Sequence, residues 1–332
     1  MAENDGKEAV STPVAPGPHL SDTSLTTRKM MLDVIIALVP LMAVALWVFR
    51  HYAAKQLLLC VGACVAAEAV FTRMRRRPLT LGDFSAVVTG LILALSLPGT
   101  APWYVAVIAS FAGIGLGKVV FGGVGFNIFN PAMVGRAFVM IAFTTALGAT
   151  AYVASDASAV DAITQATPMT DAYKGGNVQP GLLWKLFLGN TNGSLGETSA
   201  LACLVGGLFL CIRRTASWEI PAGAIGAVVL WAGIGNLMDL SADWTLLHHL
   251  FGGALLFGSF FIITDPVSSP LTPKGKWIFG ALFGVLVMLM RTLSAYPEGV
   301  MFSVLLVNAV VPLINRWTVP RPVGGPAPAK AS

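Results

Sequence analysis

The sequence predicts an all-α polytopic membrane protein of about ten transmembrane helices in two five-helix halves of inverted orientation. Three observations carry that prediction. Of the 332 residues, 55% are hydrophobic and 11% are charged, whereas a soluble domain is about one quarter charged. Apolar runs bounded by charges, Gly or Pro recur at roughly 30–49, 56–71, 84–97, 103–121, 132–150, 199–212, 219–237, 246–263, 277–291 and 300–315, several near the roughly 20 residues that a span needs. Lastly, the basic residues are unevenly distributed between alternate connecting segments.

With the amino terminus inside, the inner segments hold fifteen Lys and Arg, including the Arg73, Arg75, Arg76, Arg77 cluster, Lys118, Arg213, Arg214, Lys274 and Lys276. The outer segments hold five, namely Arg50, Lys55, Lys174, Lys185 and Arg291, and Arg136 falls inside the fifth run. This asymmetry places both termini in the cytoplasm. The net charge of +5 is too small and too confined to loops to indicate nucleic acid, so lipid is the partner that composition implies.

The chain divides accordingly. Residues 1–29 contain no apolar run and are expected to be a disordered cytoplasmic tail rather than a cleaved signal. The first five-helix repeat covers 30–150, an extracytoplasmic loop 151–198, the second repeat 199–316, and a Pro-rich cytoplasmic tail 317–332. LGDFSAVVTGLILAL (81–95) echoes LGETSALACLVGGLF (195–209), each with an acid and a serine opening a helix. An odd number of spans per half inverts the second half, an arrangement that forms sites between repeats near the midplane.

Several constellations carry polar chemistry. GKVVFGGVGFNIFNPA (117–132) is too glycine-rich for a stable helix; it is either a cavity-lining re-entrant segment offering Asn127 and Asn130 or an ordinary cytoplasmic turn. In ITDPVSSPLTPKGK (263–276), Thr264 or Asp265 caps a turn before Pro266, or Thr264, Asp265, Ser268 and Ser269 supply an oxygen-rich contact for a cation or flavin. Glu68 and Arg136 lie inside runs, where ionisable groups point to function by default. Glu68 and Asp265 are thus the ion-path candidates, although Glu68 stands one turn from the arginine cluster as a structural partner, as Asp33 stands one turn from Lys29. Arg136 either snorkels or holds an anion.

His248 and His249 read as interfacial residues opening the eighth run. Cys60, Cys64, Cys203 and Cys211 lie within apolar runs without metal-ligand spacing and read as small buried residues. The absence of a Walker motif, a strand-borne G-x-G-x-x-G and a serine nucleophile motif removes the basis for ATP-driven or hydrolytic chemistry.

PHLSDTSLTTRKMMLDVIIALVP, GFNIFNPAMVGRAF, DAITQATPM, HHLFGGALLFGSFFIITDPVSSP and YPEGVMFSVLLVNAVVPLI together resemble the D subunits of the Rnf complex, the ion-translocating ferredoxin:NAD oxidoreductase, and the related B subunits of the sodium-pumping NADH:quinone reductase. The resemblance runs over nearly the whole chain. It implies a urea-transporter-like fold and a place in the bacterial inner membrane, with 151–198 on the periplasmic side. It implies a subunit, inactive alone, that passes electrons between ferredoxin and NAD pathways coupled to Na+ or H+ movement, with other Rnf subunits and a flavin transferase as partners.

The resemblance also implies an FMN joined through its phosphate to a threonine in a D-x-x-[S/T]-G-A-T pattern. Asp161, Thr164, Ala166 and Thr167 match, which puts the phosphoester on Thr167, while Gln165 stands where glycine is usual. A second, noncovalent flavin, riboflavin, is implied among the helices, with Asn127 and Asn130 as its contacts. A solute channel or secondary transporter on an inverted-repeat scaffold is the competing function, because fold alone does not specify chemistry.

Overall fold

The computed structural model describes residues 26–77, 81–148, 151–152, 163–164, 178, 180–189, 191, 193–237, 244–293 and 299–320. In these, the chain is helical almost throughout. Helix α1 (Thr27–Phe49) begins three residues earlier than the apolar run suggests, because the Thr26 hydroxyl accepts from Lys29 N at 3.3 Å and caps it. Helix α2 (His51–Met74) follows directly after Arg50. At 23 and 24 residues, each is about 35 Å long and exceeds the roughly 30 Å hydrocarbon core.

Helix α3 (Ser85–Ser96) is only 12 residues and buries all of them except Val87. A helix apolar all round belongs in the core, and α3 is the central post of the first half. The Asp83 carboxylate initiates it, accepting from Ser85 N at 2.9 Å and Ser85 Oγ at 2.7 Å. Helix α4 (Trp103–Ile114) widens into a π turn, Gly115–Val119. After a loop with positive φ at Gly122, Gly123 and Gly125, α5 (Pro131–Ala142) begins on an Asn130 cap; α6 (Thr144–Gly148) continues it.

Two short strands, β1 (Ala151–Tyr152) and β2 (Ile163–Thr164), pair antiparallel. Helix α7 (Leu182–Leu188) lies in the segment read from sequence as an outer loop. The remaining helices are α8 (Ala200–Ile212), α9 (Glu219–Leu237), α10 (Leu246–Phe251), α11 (Leu255–Phe257), α12 (Pro273–Leu293) and α13 (Val300–Thr318). A second π turn, Gly258–Ile262, extends α11, so the run at 246–263 is a broken helix rather than a continuous one.

Among the described residues, α1, α2, α12 and α13 are long and apolar enough to cross a membrane, with α3, α4, α5, α8 and α9 as shorter apolar helices. These make the chain a helical, multi-pass membrane protein. Glycines allow the close helix contacts that packing in lipid requires. On α12, a Cβ at Gly280 or Gly284 would run into the Ile220 and Ala224 carbonyls of α9, and one at Gly90 on α3 would lie 2.7 Å from Val61 Cα of α2. The end of α3 meets the approach to α8 directly: Gly196 N donates to Leu95 O at 2.7 Å and Leu195 N to Leu97 O at 3.3 Å.

Candidate functional site

The two π-terminated segments converge on one cavity. The Asn130 side chain spans them: Oδ1 accepts from Ala132 N at 3.0 Å and Met133 N at 3.3 Å to cap α5, and Nδ2 donates to Ile262 O at 3.3 Å. Asn127 Nδ2 donates to Phe129 O at 3.3 Å, and its side-chain amide acts on Asp265 to favour the charged carboxylate. Pro131 at the first helical position suits a site whose N–H has no helical partner. The segment 117–132 therefore lines a cavity instead of forming a simple surface turn.

On the opposing segment, Asp265 Oδ1 accepts from Val267 N at 3.2 Å and Oδ2 from Ser268 Oγ at 3.1 Å. This is the turn geometry read from the sequence. The Thr264 hydroxyl donates to Phe260 O at 2.6 Å. Burial pushes the Asp265 carboxyl above its ordinary range, against the opposing pull of its contacts with Val267, Ser268 and Asn127.

The cavity, about 90 Å³, is walled by these segments together with Met30, Met31 and Val34 of α1, Ser85, Thr89 and Ile92 of α3, and Thr215 and Ala216 beyond α8. Lys118, in the first π turn, also lines it. Its Nζ donates to Glu68 Oε1 and Oε2 at 2.8 Å each and to Ser85 Oγ at 2.6 Å. This corrects two sequence readings. Glu68 pairs with Lys118 rather than with the arginine cluster, and Lys118 is a buried side chain rather than a loop cation, because the π turn directs it inward between α2 and α3. Asp33 likewise pairs with Arg213 at 3.2 Å and accepts from Thr215 Oγ1 at 2.9 Å, not with Lys29, because α8 ends beside the first turns of α1.

Elsewhere, His248 and His249 are buried, not interfacial. His248 forms a capping box with Thr245, and both rings pack on Trp244. Arg291, read as an outer cation, is buried in α12, where it donates to His249 O at 2.6 Å and Gly252 O at 2.7 Å and stabilises the break after α10. Cys60, Cys64 and Cys203 are free and buried, and Cys211 is half-buried. Arg136 is half-buried on α5. Thr164 lies in β2, paired through its backbone with Ala151; Asp161, Ala166 and Thr167 fall outside the described residues.

Sequence reasoning missed Lys118 and Ser85 and treated the two loops separately. A signal was present: Gln56, Cys60, Cys64 and Glu68 repeat every four residues along α2, all buried. That spacing marks one helix face turned to the interior, and a buried carboxylate there calls for a buried cation.

The wall combines amide, hydroxyl and carboxylate groups with methionine and aliphatic side chains, a set that suits the polar edge and apolar body of a flavin ring. The volume does not suit the whole ring: sites for drug-sized ligands run to roughly 300 Å³ or more. Asn130 has both ends of its amide engaged in structure, which leaves Asn127 as the more available of the two asparagines.

The description "NQR2, RnfD, RnfE family" matches residues 13–324. The D subunit of the Na(+)-translocating ferredoxin:NAD(+) oxidoreductase complex of Acetobacterium woodii is 37% identical, covering 94% of this chain and 95% of its own. Its counterpart in the proton-translocating ferredoxin:NAD(+) oxidoreductase complex of Clostridium ljungdahlii is 38% identical over 96% and 98%. The D subunit of the ion-translocating oxidoreductase complex of Stutzerimonas stutzeri is 40% identical over 91% and 93%. With its family description matched from residue 13 to residue 324 and these relatives aligned nearly end to end, the chain belongs to the NQR2, RnfD, RnfE family.

Proposed function

We propose that this protein is a flavin-carrying membrane subunit of an ion-translocating ferredoxin:NAD oxidoreductase complex. The observation that carries the reading is the pattern Asp161, Thr164, Ala166, Thr167 within a chain of this family. Thr167 is the attachment point, its hydroxyl oxygen joined to the FMN phosphate by a flavin transferase. The bound FMN supplies one- and two-electron transfer. The chain's own part is to keep that cofactor tethered beside the membrane while partner subunits supply the ends of the electron path.

The cavity is the candidate place for a second flavin, riboflavin, with Asn127 facing the ring edge and Asn130 holding the wall. Its present volume requires Met30 and Met31, flexible side chains suited to repacking, to move aside; no electron step is assigned there. Extraction of the purified complex tests this: riboflavin in the extract, lost in Asn127→Leu, supports it, and a riboflavin-free extract of the native complex overturns it.

The ten-span, inverted-repeat arrangement draws support from the matched starts of α3 and α8. LGDFS (81–85) and LGETS (195–199) each stand at a helix start, although the serines act differently: Ser85 donates to Asp83, whereas the Ser199 hydroxyl caps α8 by accepting from Ala202 N at 3.2 Å. Both termini are then cytoplasmic in the bacterial inner membrane and 151–198 is periplasmic. The repeats are 30–150 and 199–316, flanked by tails 1–29 and 317–332. The two ions in the relatives' names come at nearly equal identity, 37% and 38%, so overall similarity favours neither Na+ nor H+. Asp265 and the Glu68 pair are the ion-path candidates in either case. A transporter without redox chemistry is the competing reading, and covalent flavin on Thr167 separates the two.

A further inference from the structure

We propose that the inner end of α2 and the π turn of α4 form a binding site for an anionic phospholipid, its headgroup on the Arg73 to Arg77 cluster and an acyl chain in the groove alongside. The proposal rests on the chain crossing the membrane and is independent of the flavin reading.

The charge side of the site is unusually one-sided. Arg73, Arg75, Arg76 and Arg77 are all exposed, and no acid occurs between Glu68 and Asp83. Both of those acids are engaged elsewhere, Glu68 with Lys118 and Asp83 with Ser85. Arg75 is the fixed member of the cluster. One of its N–H groups donates to Val119 O, the last residue of the π turn, where a cation is favoured by the exposed carbonyls of a helix end. Arginine has five donors in a planar fork, so this anchor leaves donor capacity for a phosphate.

The apolar side adjoins the same guanidinium. A groove of about 340 Å³ is lined by Phe71 and Arg75 of α2 and by Phe111, Leu116, Val119 and Val120 on α4 and its continuation. Its depth comes from Gly115, which starts the π turn: a Cβ there would lie 3.0 Å from the Phe71 ring. Phe71 is itself set edge-on to Phe111, with centroids 6.0 Å apart. The rim faces outward, with Met74, Leu116 and Val120 at 73%, 51% and 69% exposure. A cationic cluster at a helix end, continuous with an outward-facing apolar groove on a membrane-crossing chain, matches an amphiphile with a negative head. Free phosphate leaves the groove unfilled, and basic pockets of this kind between transmembrane helices bind anionic lipid headgroups.

Native mass spectrometry of the full-length chain, purified in mild detergent and delipidated, tests the site by titration with phosphatidylglycerol, cardiolipin or phosphatidylcholine. The anionic lipids are expected to be retained at lower concentration than phosphatidylcholine. Arg75→Gln is expected to weaken their retention about five-fold, the effect of one surface arginine near anionic lipid. Val120→Trp, which fills the groove and keeps every charge, should weaken it as well, and inorganic phosphate should not displace the lipid. Elution volume and helical circular dichroism check the fold; if Arg75→Gln misfolds, Val120→Trp carries the test. Equal retention of phosphatidylcholine, unchanged retention in Val120→Trp, or displacement by phosphate alone overturns the proposal.

Discussion

Two ion pairs, one with Lys118 in the cavity wall and one joined to that wall through Thr215, differ in how far they have left water. Lys118 and Glu68 meet at 2.8 Å with their side chains 4% and 2% exposed, whereas Arg213 and Asp33 meet at 3.2 Å with 47% and 8% exposed. The first joins α2, the α4 π turn and, through Ser85, α3. The second ties the start of α1 to the end of α8. In the sealed pair, removing either charge leaves the other desolvated without its counter-ion. In the open pair water solvates the arginine whether or not the carboxylate is present. The contrast teaches that separation alone does not rank ion pairs; the number of desolvated partners does.

Breaking the sealed pair gives the largest expected effect. Lys118→Met removes the buried cation that meets Glu68 at 2.8 Å and should cost about 3–5 kcal/mol, measured by denaturant titration of the purified chain. The double variant Glu68→Gln with Lys118→Met should recover most of that loss, since no uncompensated charge remains; equal damage in the double variant would contradict the sealed-pair account. Asp33→Ala should cost about 1 kcal/mol, and the wild-type advantage over it should shrink in high salt, which the Lys118 variant's deficit should not. A salt-insensitive Asp33 effect would erase the distinction between the two pairs.

Asp265→Asn, in the cavity wall, should have the smallest effect, because asparagine can still accept from Val267 N. Its signature is a pH slope. Burial raises the folded-state pKa of Asp265, so the folded protein binds more protons than the unfolded chain. The stability contributed by this group is therefore fully present below the unfolded value of about 3.9 and is lost as pH rises through the folded value. Thermal unfolding of wild type and Asp265→Asn across acidic pH should show the wild type losing stability relative to the variant as pH rises; parallel curves would contradict it.

Much of the fold was legible in the sequence because it follows from hydropathy. The runs at 199–212 and 103–121 lie within a few residues of α8 and of α4 with its π turn, since apolar stretches bounded by Gly, Pro and charge leave little choice in lipid. What remained illegible depended on tertiary placement. Nothing local distinguishes Lys118 as a buried partner from Lys118 as a loop cation, because a π turn sets its direction. Nor does local pattern show that Asn130 reaches Ile262, 132 residues further along the chain. His248 and His249 look interfacial at the head of an apolar run, and only their packing on Trp244 buries them. For the candidate site, the asparagines and Asp265 were visible as polar residues near glycine or proline, but their meeting around one cavity was not.

The central claim is a covalent flavin on the segment between the two halves, and fluorescence after denaturing electrophoresis tests it directly. Expressed with a flavin transferase, the wild-type chain should give a fluorescent band under ultraviolet light. Thr167→Ala should be dark at equal protein load, and Gln165→Gly should remain fluorescent. A dark wild-type band, or a Thr167→Ala band as bright as wild type, would contradict the assignment.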